Sequence, residues 1–557
     1  MFIGRENELE TLAALWRKPV ASLVTCRGRR RIGKSSLVAE FARRSGARFL
    51  ALEGKAPEPG MTNRDQLDSF REQLAEQTGG EVPALGSWFE AFNQLDKRIN
   101  GRKTVVLLDE ISWMGKYDRG FPGDLKIVWD RAFKKHDRLV MVLCGSVSTW
   151  ITDNILKNTG FVGRRALDMV VRELPLADCV RFWGKSASRV APREILDVLS
   201  VTGGVPKYLE GIDPGLSADE NLRRMCFLPE GILKSDFDEI FSDVFGAEAT
   251  EKRRILAALV DGTKTASEIS AETGLANNGH LTESLEQLDT AGFAAAERGL
   301  NPATGRAAQS VRYRLRDNYA RFFLRYVEPN LETIENGRFA LATMEQLDGW
   351  DAILGLQLEN LVLNHLPEFL PMLGLGRSLV LSAAPFRKKA DAKGPGCQID
   401  LLLQMRRSIM IVEIKRRREI GREIIREVED KAKRLPVRRG MSVRTALVYD
   451  GHLAPAVEGD GFFDAVVPVE TALRCSELVR PRSTCCGGAC RCRRRSTTAS
   501  STATTTRSTT ASSAAASRSS TSSIPTATCS SSPGSSAPAR RFGREGVQAD
   551  SGDSCSP

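Results

Sequence analysis

Gly28-Arg29-Arg30-Arg31-Ile32-Gly33-Lys34-Ser35 is the stretch on which the fold turns. It fits the pattern G-x4-G-K-[ST]. An apolar run, residues 21–26, precedes it, and an amphipathic helical pattern begins at Lys34. Strand, glycine turn and helix in that order let backbone N–H groups curl round phosphate oxygens, and the helix dipole adds to the attraction. Lys34 is then placed to reach β- and γ-phosphates, and the Ser35 hydroxyl to ligate Mg2+. Gly28 to Ser36 is the expected cradle of a nucleotide.

A second motif lies downstream, Val105-Val106-Leu107-Leu108-Asp109-Glu110. A buried strand here delivers two carboxylates at its C-terminal end, where open α/β sheets bind ligands. Asp109 is expected in the Mg2+ shell, and Glu110 is expected to orient and deprotonate the attacking water. The bland alternative is an acidic strand end that caps the next helix. Apolar runs at 21–26, 48–52, 104–108 and 139–144 read as buried parallel strands, which makes residues 1–175 a P-loop α/β domain.

The rest of the chain divides by pattern. Residues 176–248 read as a helical lid, broken at Gly203, Gly204 and Pro206. Residues 249–316 read as three helices and a hairpin, the order of a winged helix-turn-helix. There Thr265 or Ser267 caps a short helix that stops at Gly274, a third helix covers 281–291, and strands at 293–298 and 310–315 flank a turn. Residues 317–350 form a helical connector. Residues 351–472 form a second α/β unit, with strand-like runs at 378–382, 399–404, 409–414, 445–449 and 465–469 and one helix over 421–435. Residues 473–557, rich in Ser, Thr, Ala and Arg, are expected to be disordered, and their abrupt onset suggests a shifted reading frame.

Composition sets the outer limits. The chain has 557 residues, 41% hydrophobic and 27% charged, as in a soluble multidomain protein rather than a collagen-like or membrane-embedded one. No run approaches the ~18 uncharged apolar residues of a membrane helix. The start, Met1 to Glu6, lacks a signal-peptide core, so the expected location is the cytoplasm with no membrane partner. The net charge of +11 resides mostly in the tail: from Arg474 onward there are twelve arginines, no lysine and four acids. Seven of the 12 cysteines lie there too, and Cys485-Cys486-x3-Cys490-x-Cys492 lacks the paired spacing of a zinc site. The five others are scattered singly, the usage of a reducing compartment.

The two nucleotide motifs, with Phe2-Ile3-Gly4-Arg5-Glu6-x-Glu8-Leu9 before them, resemble the archaeal-type ATPases. These are AAA-related members of the signal-transduction ATPases with numerous domains. The resemblance covers roughly residues 1–320. It implies ATP as cofactor and a place near the adenine for Gly4 and Arg5. It also implies a sensor position at Ser146, a γ-phosphate contact at Arg164, and a lid turn at Gly204-Val205-Pro206. A solvated charge beside Arg165 is the alternative for Arg164. The winged segment has an ambiguous charge pattern. Its recognition helix, from Asn277 to Ser284, carries no Arg or Lys, while Arg298, Arg306, Arg312 and Arg314 could form a basic wing. An intramolecular or protein contact is favoured over DNA reading.

A hairpin near the end carries a second set of acids. Strands 399–404 and 409–414 joined by residues 405–408 pair Gln404 with Ile409, and hence Asp400 with Glu413. Directly opposed residues share a face, and Lys415 lies on it too. Two facing carboxylates repel unless something offsets them; a divalent cation, Mg2+ or Mn2+, is the natural partner, with Lys415 stabilising charge. D-x12-E-x-K after an apolar strand resembles the PD-(D/E)XK nuclease fold. That resemblance implies a further metal ligand at Glu359 and a following helix at Glu427 to Lys431. The alternative is an exposed hairpin face neutralised by Lys415, Arg416, Arg417 and Arg418.

Together these readings predict an ATP-hydrolysing, Mg2+-dependent switch coupled to a nuclease-like domain acting on DNA. Lys34, Glu110, Asp400, Glu413 and Lys415 are its catalytic candidates. The alternative is a non-catalytic, nucleotide-gated regulator that binds DNA or protein. A protein partner at the winged segment and homo-oligomerisation are further expectations.

Overall fold

The computed structural model describes residues 2–146, 149–308, 310–390 and 395–474. From residue 475 on, the expected tail, its seven cysteines and its weak zinc pattern lie outside the described residues.

The first sheet explains why its strands read as unbroken apolar runs. Strands β1 (Ser22–Gly28), β2 (Arg48–Glu53), β3 (Thr104–Asp109), β4 (Leu139–Ser146) and β5 (Arg165–Val170) pair in the order β2-β3-β4-β1-β5. Every pair is parallel. Both faces are covered. Val24, Val105 and Val142 enter one apolar cluster, while Leu23, Val106 and Leu143 enter another. β1 runs two residues past the expected apolar end, to Gly28, and helix α1 (Lys34–Ser45) follows the loop. β5 escapes the list of apolar runs because it is an edge strand on which only Met169 is fully buried.

A helical segment follows that includes α2 (Pro192–Thr202) and α3 (Asp236–Phe245). Gly203, at φ 62, ends α2. Next come α4 (Ala249–Ala257), β6 (Lys264–Thr265), α5 (Ala266–Thr273) and α6 (Gly279–Ala291). Strands β7 (Ala294–Glu297) and β8 (Arg312–Leu315) complete a small antiparallel sheet in the order β6-β8-β7. Thr265, not Ser267, caps α5 in a reciprocal box with Glu268, and α6 starts two residues before 281 because the Asn278 side chain caps it.

Helix α7 (Trp350–Asn364) leads to the last sheet. Its strands are β9 (Ser382–Lys388), β10 (Cys397–Gln404) and β11 (Ser408–Ile420), then β12 (Ser442–Leu453) and β13 (Ala465–Pro468) beyond α8 (Glu423–Arg434). The order is β13-β12-β11-β10-β9. β11, β12 and β13 pair in parallel; β9, β10 and β11 pair antiparallel. The strand expected at 378–382 is instead a single helical turn, Arg377–Leu379, followed by an open stretch, with Leu379 and Leu381 exposed at 56% and 65%. A final helix, Glu470–Arg474, buries Leu473 against the core, so the fold continues past the expected boundary at 472. One apolar cluster runs through the described residues, from Val24 through Leu285 and Leu358 to Val412 and Val448.

Candidate functional site

The phosphate loop sits between β1 and α1 as its residues dictate. A Cβ on Gly28 would come within 2.4 Å of the Val171 carbonyl oxygen, so only glycine fits against that neighbour. Gly33 takes φ 84 as the N-cap of α1. The Lys34 side chain is buried, and its ammonium donates to the Arg29 carbonyl at 3.2 Å. The Ser35 hydroxyl donates to Asp109 Oδ2, so the two expected Mg2+ ligands from α1 and β3 touch.

Glu110 follows β3 in the left-handed region, at φ 43 and ψ 48. Its Oε2 accepts the Ser146 N–H at 3.4 Å, which brings the end of β4 to the site. Burial pushes its carboxyl above the usual range, opposed by the charges of Lys34 and Arg30. One cleft of about 540 Å3 joins Arg30 to Ser36 and Glu110 with Phe2, Ile3 and Arg5 from the N-terminus and Pro206 from the lid segment. Arg5 donates from Nη2 to the Ile32 carbonyl at 3.0 Å, bracing the loop from behind. Gly4 packs so closely that an added Cβ would lie 2.7 Å from Asp178. Arg164 is elsewhere: its Nε and Nη2 donate to the two oxygens of Asp130, at 2.8 and 2.9 Å, and it does not line the cleft. A bidentate carboxylate partner accounts for that placement.

The three loop arginines have partners that single-motif reading does not supply. Arg29 pairs with Asp317 at 2.6 Å, and its Nη2 donates to the Tyr208 hydroxyl at 3.1 Å. Arg30 reaches Asp243 at 3.0 Å, and Arg31 reaches Asp236 at 2.8 Å. Asp236 and Asp243 lie on α3, with Glu239 near Arg31 at 3.5 Å. The spacing 236, 239, 243 is an acidic stripe on one helical face, a signal open to sequence reading beside three consecutive arginines.

The hairpin acids come together in the expected register, but the ladder ends one pair before them. β10 and β11 pair Gln404 with Ile409 and continue to Leu401 with Val412, where the ladder stops. Asp400 is therefore not a backbone partner of Glu413. Its Oδ2 accepts the Ile414 N–H at 2.9 Å, at an irregularity where β9 and β10 shift register between Ile399 and Leu402. The face is buried, not exposed: Asp400 is 7% and Glu413 0% accessible. Lys431 and Lys415 both reach Glu413 Oε1, at 2.5 and 2.7 Å, while Oε2 has no hydrogen-bond partner. Burial and Glu413 push Asp400 up to about 6; burial and Asp400 push Glu359 of α7 up to about 7. Burial tends to lower Lys415, but Glu413 raises it on balance. Among the described residues, no group of three or more His, Cys, Asp and Glu is arranged to hold a metal ion.

Of the other arginines assigned to neutralise this face, Arg416 turns away. It is buried against Asp197 of α2 and lies 3.5 Å from Asp450. Of the four arginines of the possible basic wing, Arg298 and Arg306 are exposed and the other two are engaged within the fold. Arg314 is buried and donates to Asn360 and Asn364 of α7, and Arg312 pairs with Glu268 at 3.0 Å. The loop after β7 lies along the last sheet: the Leu300 carbonyl accepts from Gln404 at 2.6 Å, and the Pro302 carbonyl accepts the Arg438 N–H at 3.2 Å. Glu297 of β7 shares a cavity of about 20 Å3 with Glu359 and Asp400, and burial pushes its carboxyl up to about 7.

No helix among the described residues is long and apolar enough to cross a membrane. No family model matches the chain. It is 24% identical over 342 residues to an uncharacterized protein of Methanocaldococcus jannaschii, covering 61% of this chain and 72% of that one. Among solved structures it is similar to the Walker-type ATPase of Pyrococcus abyssi (TM-score 0.44, 18% identity, 58% of this chain and 96% of that one). It is also similar to the ORC2 protein of Aeropyrum pernix (TM-score 0.37, 14% identity, 60% and 94%). The N-terminal part of this chain is an α/β P-loop domain with a parallel five-stranded sheet.

Proposed function

We propose that the chain is an ATP-hydrolysing conformational switch coupled to a C-terminal carboxylate centre that acts on DNA. The observation that carries the ATPase reading is the meeting of Ser35, Asp109, Glu110 and Lys34 at the C-terminal end of β3. The touching oxygens of Ser35 and Asp109 are a hard donor set that fits Mg2+. When bound, Mg2+ neutralises charge on the phosphate oxygens. Lys34 leaves the Arg29 carbonyl for the β- and γ-phosphates. Glu110, its pKa raised by burial, takes the proton of the attacking water. The water oxygen bonds to the γ-phosphorus as the bond to the β–γ bridging oxygen breaks, and ADP leaves with the electron pair.

In the carboxylate centre the orphaned Glu413 Oε2, with Asp400 beside it, fits a single hard cation, Mg2+ or Mn2+. Such an ion would polarise a phosphodiester, and Lys415 would stabilise the charge that develops. Contact of the three-helix segment with both α7 and the last sheet supports a path for coupling. A second reading has its own support. Two lysines already neutralise Glu413, as in a nuclease-like platform that binds without cutting.

The test is ATP hydrolysis and DNA cleavage by the full chain with Mg2+ or Mn2+, with and without ATP. Lys34→Ala is expected to abolish hydrolysis, and turnover preserved in that variant would refute the site. Asp400→Ala and Glu413→Ala are each expected to abolish cleavage. Intact hydrolysis with no cleavage under any condition selects the platform.

A further inference from the structure

Arg30 has a place in the cleft but no task in the chemistry above. It occupies the second variable position of the phosphate loop. Its guanidinium carbon lies 4.9 Å from the centre of the Trp113 ring, and its Nε lies 3.0 Å from Asp243 Oδ2. It lines the same cleft as Lys34, Ser35 and Glu110. Its charge acts on Glu53 at the end of β2, on Glu110 just past β3, and on Asp243 of α3. Of these, Asp243 is the carboxylate in contact with Arg30, and Glu110 lines the same cleft. Asp243 also feels Lys34, so an acid from α3 rests in the field that a phosphate would fill. Of the other arginines, Arg29 is sunk between Asp317 and Tyr208 and Arg164 is held outside the cleft by Asp130, while Arg31, like Arg30, lines the cleft and is paired with an acid of α3, Asp236.

We propose that Arg30 is the γ-phosphate-contacting arginine of the nucleotide site, and that Asp243 holds its guanidinium until ATP displaces it. The inference rests on the ATPase reading. A planar guanidinium matches phosphate oxygens, and a γ-phosphate carries more charge than one carboxylate. During hydrolysis Arg30 neither gains nor loses a proton; it stabilises charge on the γ-phosphoryl oxygens while the bond to the bridging oxygen breaks. ADP has no γ-phosphate, so after release of phosphate Arg30 returns to Asp243 and α3 is held again. The difference between those two partners is what ties α3 to the state of the nucleotide.

The experiment measures ATP affinity, ADP affinity and kcat in the full chain for Arg30→Gln, Arg30→Lys and Asp243→Asn, with thermal melts to confirm folding. Arg30→Gln is expected to lower kcat by roughly 10³-fold or more, the lower end of what an arginine on the transferring phosphoryl group contributes. Its ADP affinity is expected to stay within about twofold of wild type, because the lost contact exists only with a γ-phosphate. Arg30→Lys keeps the charge without the fork and is expected to fall between the two. Asp243→Asn is expected to tighten ATP binding without changing that of ADP. Equal weakening of ATP and ADP in Arg30→Gln or Arg30→Lys overturns the inference, and so does an unchanged kcat in a folded variant. Wild-type protein that neither binds nor hydrolyses ATP overturns the ATPase reading and this inference together. Wild-type hydrolysis matched by Arg30→Gln overturns this inference alone.

Discussion

Glu110 concentrates the demands that the nucleotide site makes on a single residue. A glutamate at φ 43 holds a backbone conformation that costs on the order of 1–3 kcal/mol, and it persists only where its surroundings fix it. Here the Asp109 side chain accepts the Glu110 N–H at 3.0 Å, Ile111 is buried just beyond, and the Ser146 N–H meets the carboxylate. The turn aims the carboxylate back across the strand end. With the pKa raised by burial, it is a better base near neutral pH than a solvated glutamate. Glu110→Gln is expected to keep ATP binding while kcat falls by roughly 10²–10⁴-fold, the usual worth of a general base. Equilibrium nucleotide binding beside single-turnover hydrolysis checks it. The acids at 109 and 110 are legible in sequence because a strand-end pair has a recognisable pattern. The strained backbone is not legible, because nothing marks a positive φ in a residue other than glycine. Nor is the diversion of Arg164, which depends on Asp130, an aspartate far away in sequence.

At the scale of elements, local chemistry is legible and edges are not. The box of Thr265 and Glu268 is a matter of spacing, and α5 starts where that spacing puts it. Thr265→Ala is expected to cost about 1 kcal/mol of stability, measured by denaturant unfolding, because it strips a cap from the first turn. The turn at 405–408 likewise fixes the four ladder pairs from Gln404 to Leu401. The ladder ends one residue later, where the Asp400 side chain takes the Ile414 N–H and β10 shifts register against β9 between Ile399 and Leu402. β9 is misplaced in sequence for a related reason. Leu379, Val380 and Leu381 look like a strand, whereas the true strand carries Pro385, which only an edge strand tolerates. Apolarity signals burial, and here it lies on exposed chain.

Across the whole molecule, the contacts joining segments distant in sequence are the ones that no local pattern reveals. Arg416 with Asp197, Leu300 with Gln404, and Glu297 beside Glu359 and Asp400 all belong to this class. Glu297 makes that packing sensitive to pH. Arg314, 3.8 Å away, Arg387 and Arg312 favour its charged form, but burial prevails and lifts it from 4.5 to about 7. Between those values the folded chain holds a proton that the unfolded chain has lost. This contribution to stability is therefore present at low pH and is lost as pH rises towards 7. Glu359 and Asp400 of the same cavity act in the same window, so Glu297→Gln is expected to lessen the slope there, read as denaturation midpoints from pH 5 to pH 8. An unchanged slope would show that Glu297 does not titrate in that window.

The three arginines of the phosphate loop differ in how much water reaches them. The side chains of Arg29 and Asp317 are 9% and 1% exposed, those of Arg30 and Asp243 are 24% and 20%, and that of Arg31 is 36%. Dissolved ions screen exposed pairs far more than buried ones, with a Debye length of about 8 Å at physiological ionic strength. Added salt should then slacken the grip on α3 while leaving the anchor at Asp317 in place. Ionic strength becomes a second dial on the same loop, one that turns without any nucleotide.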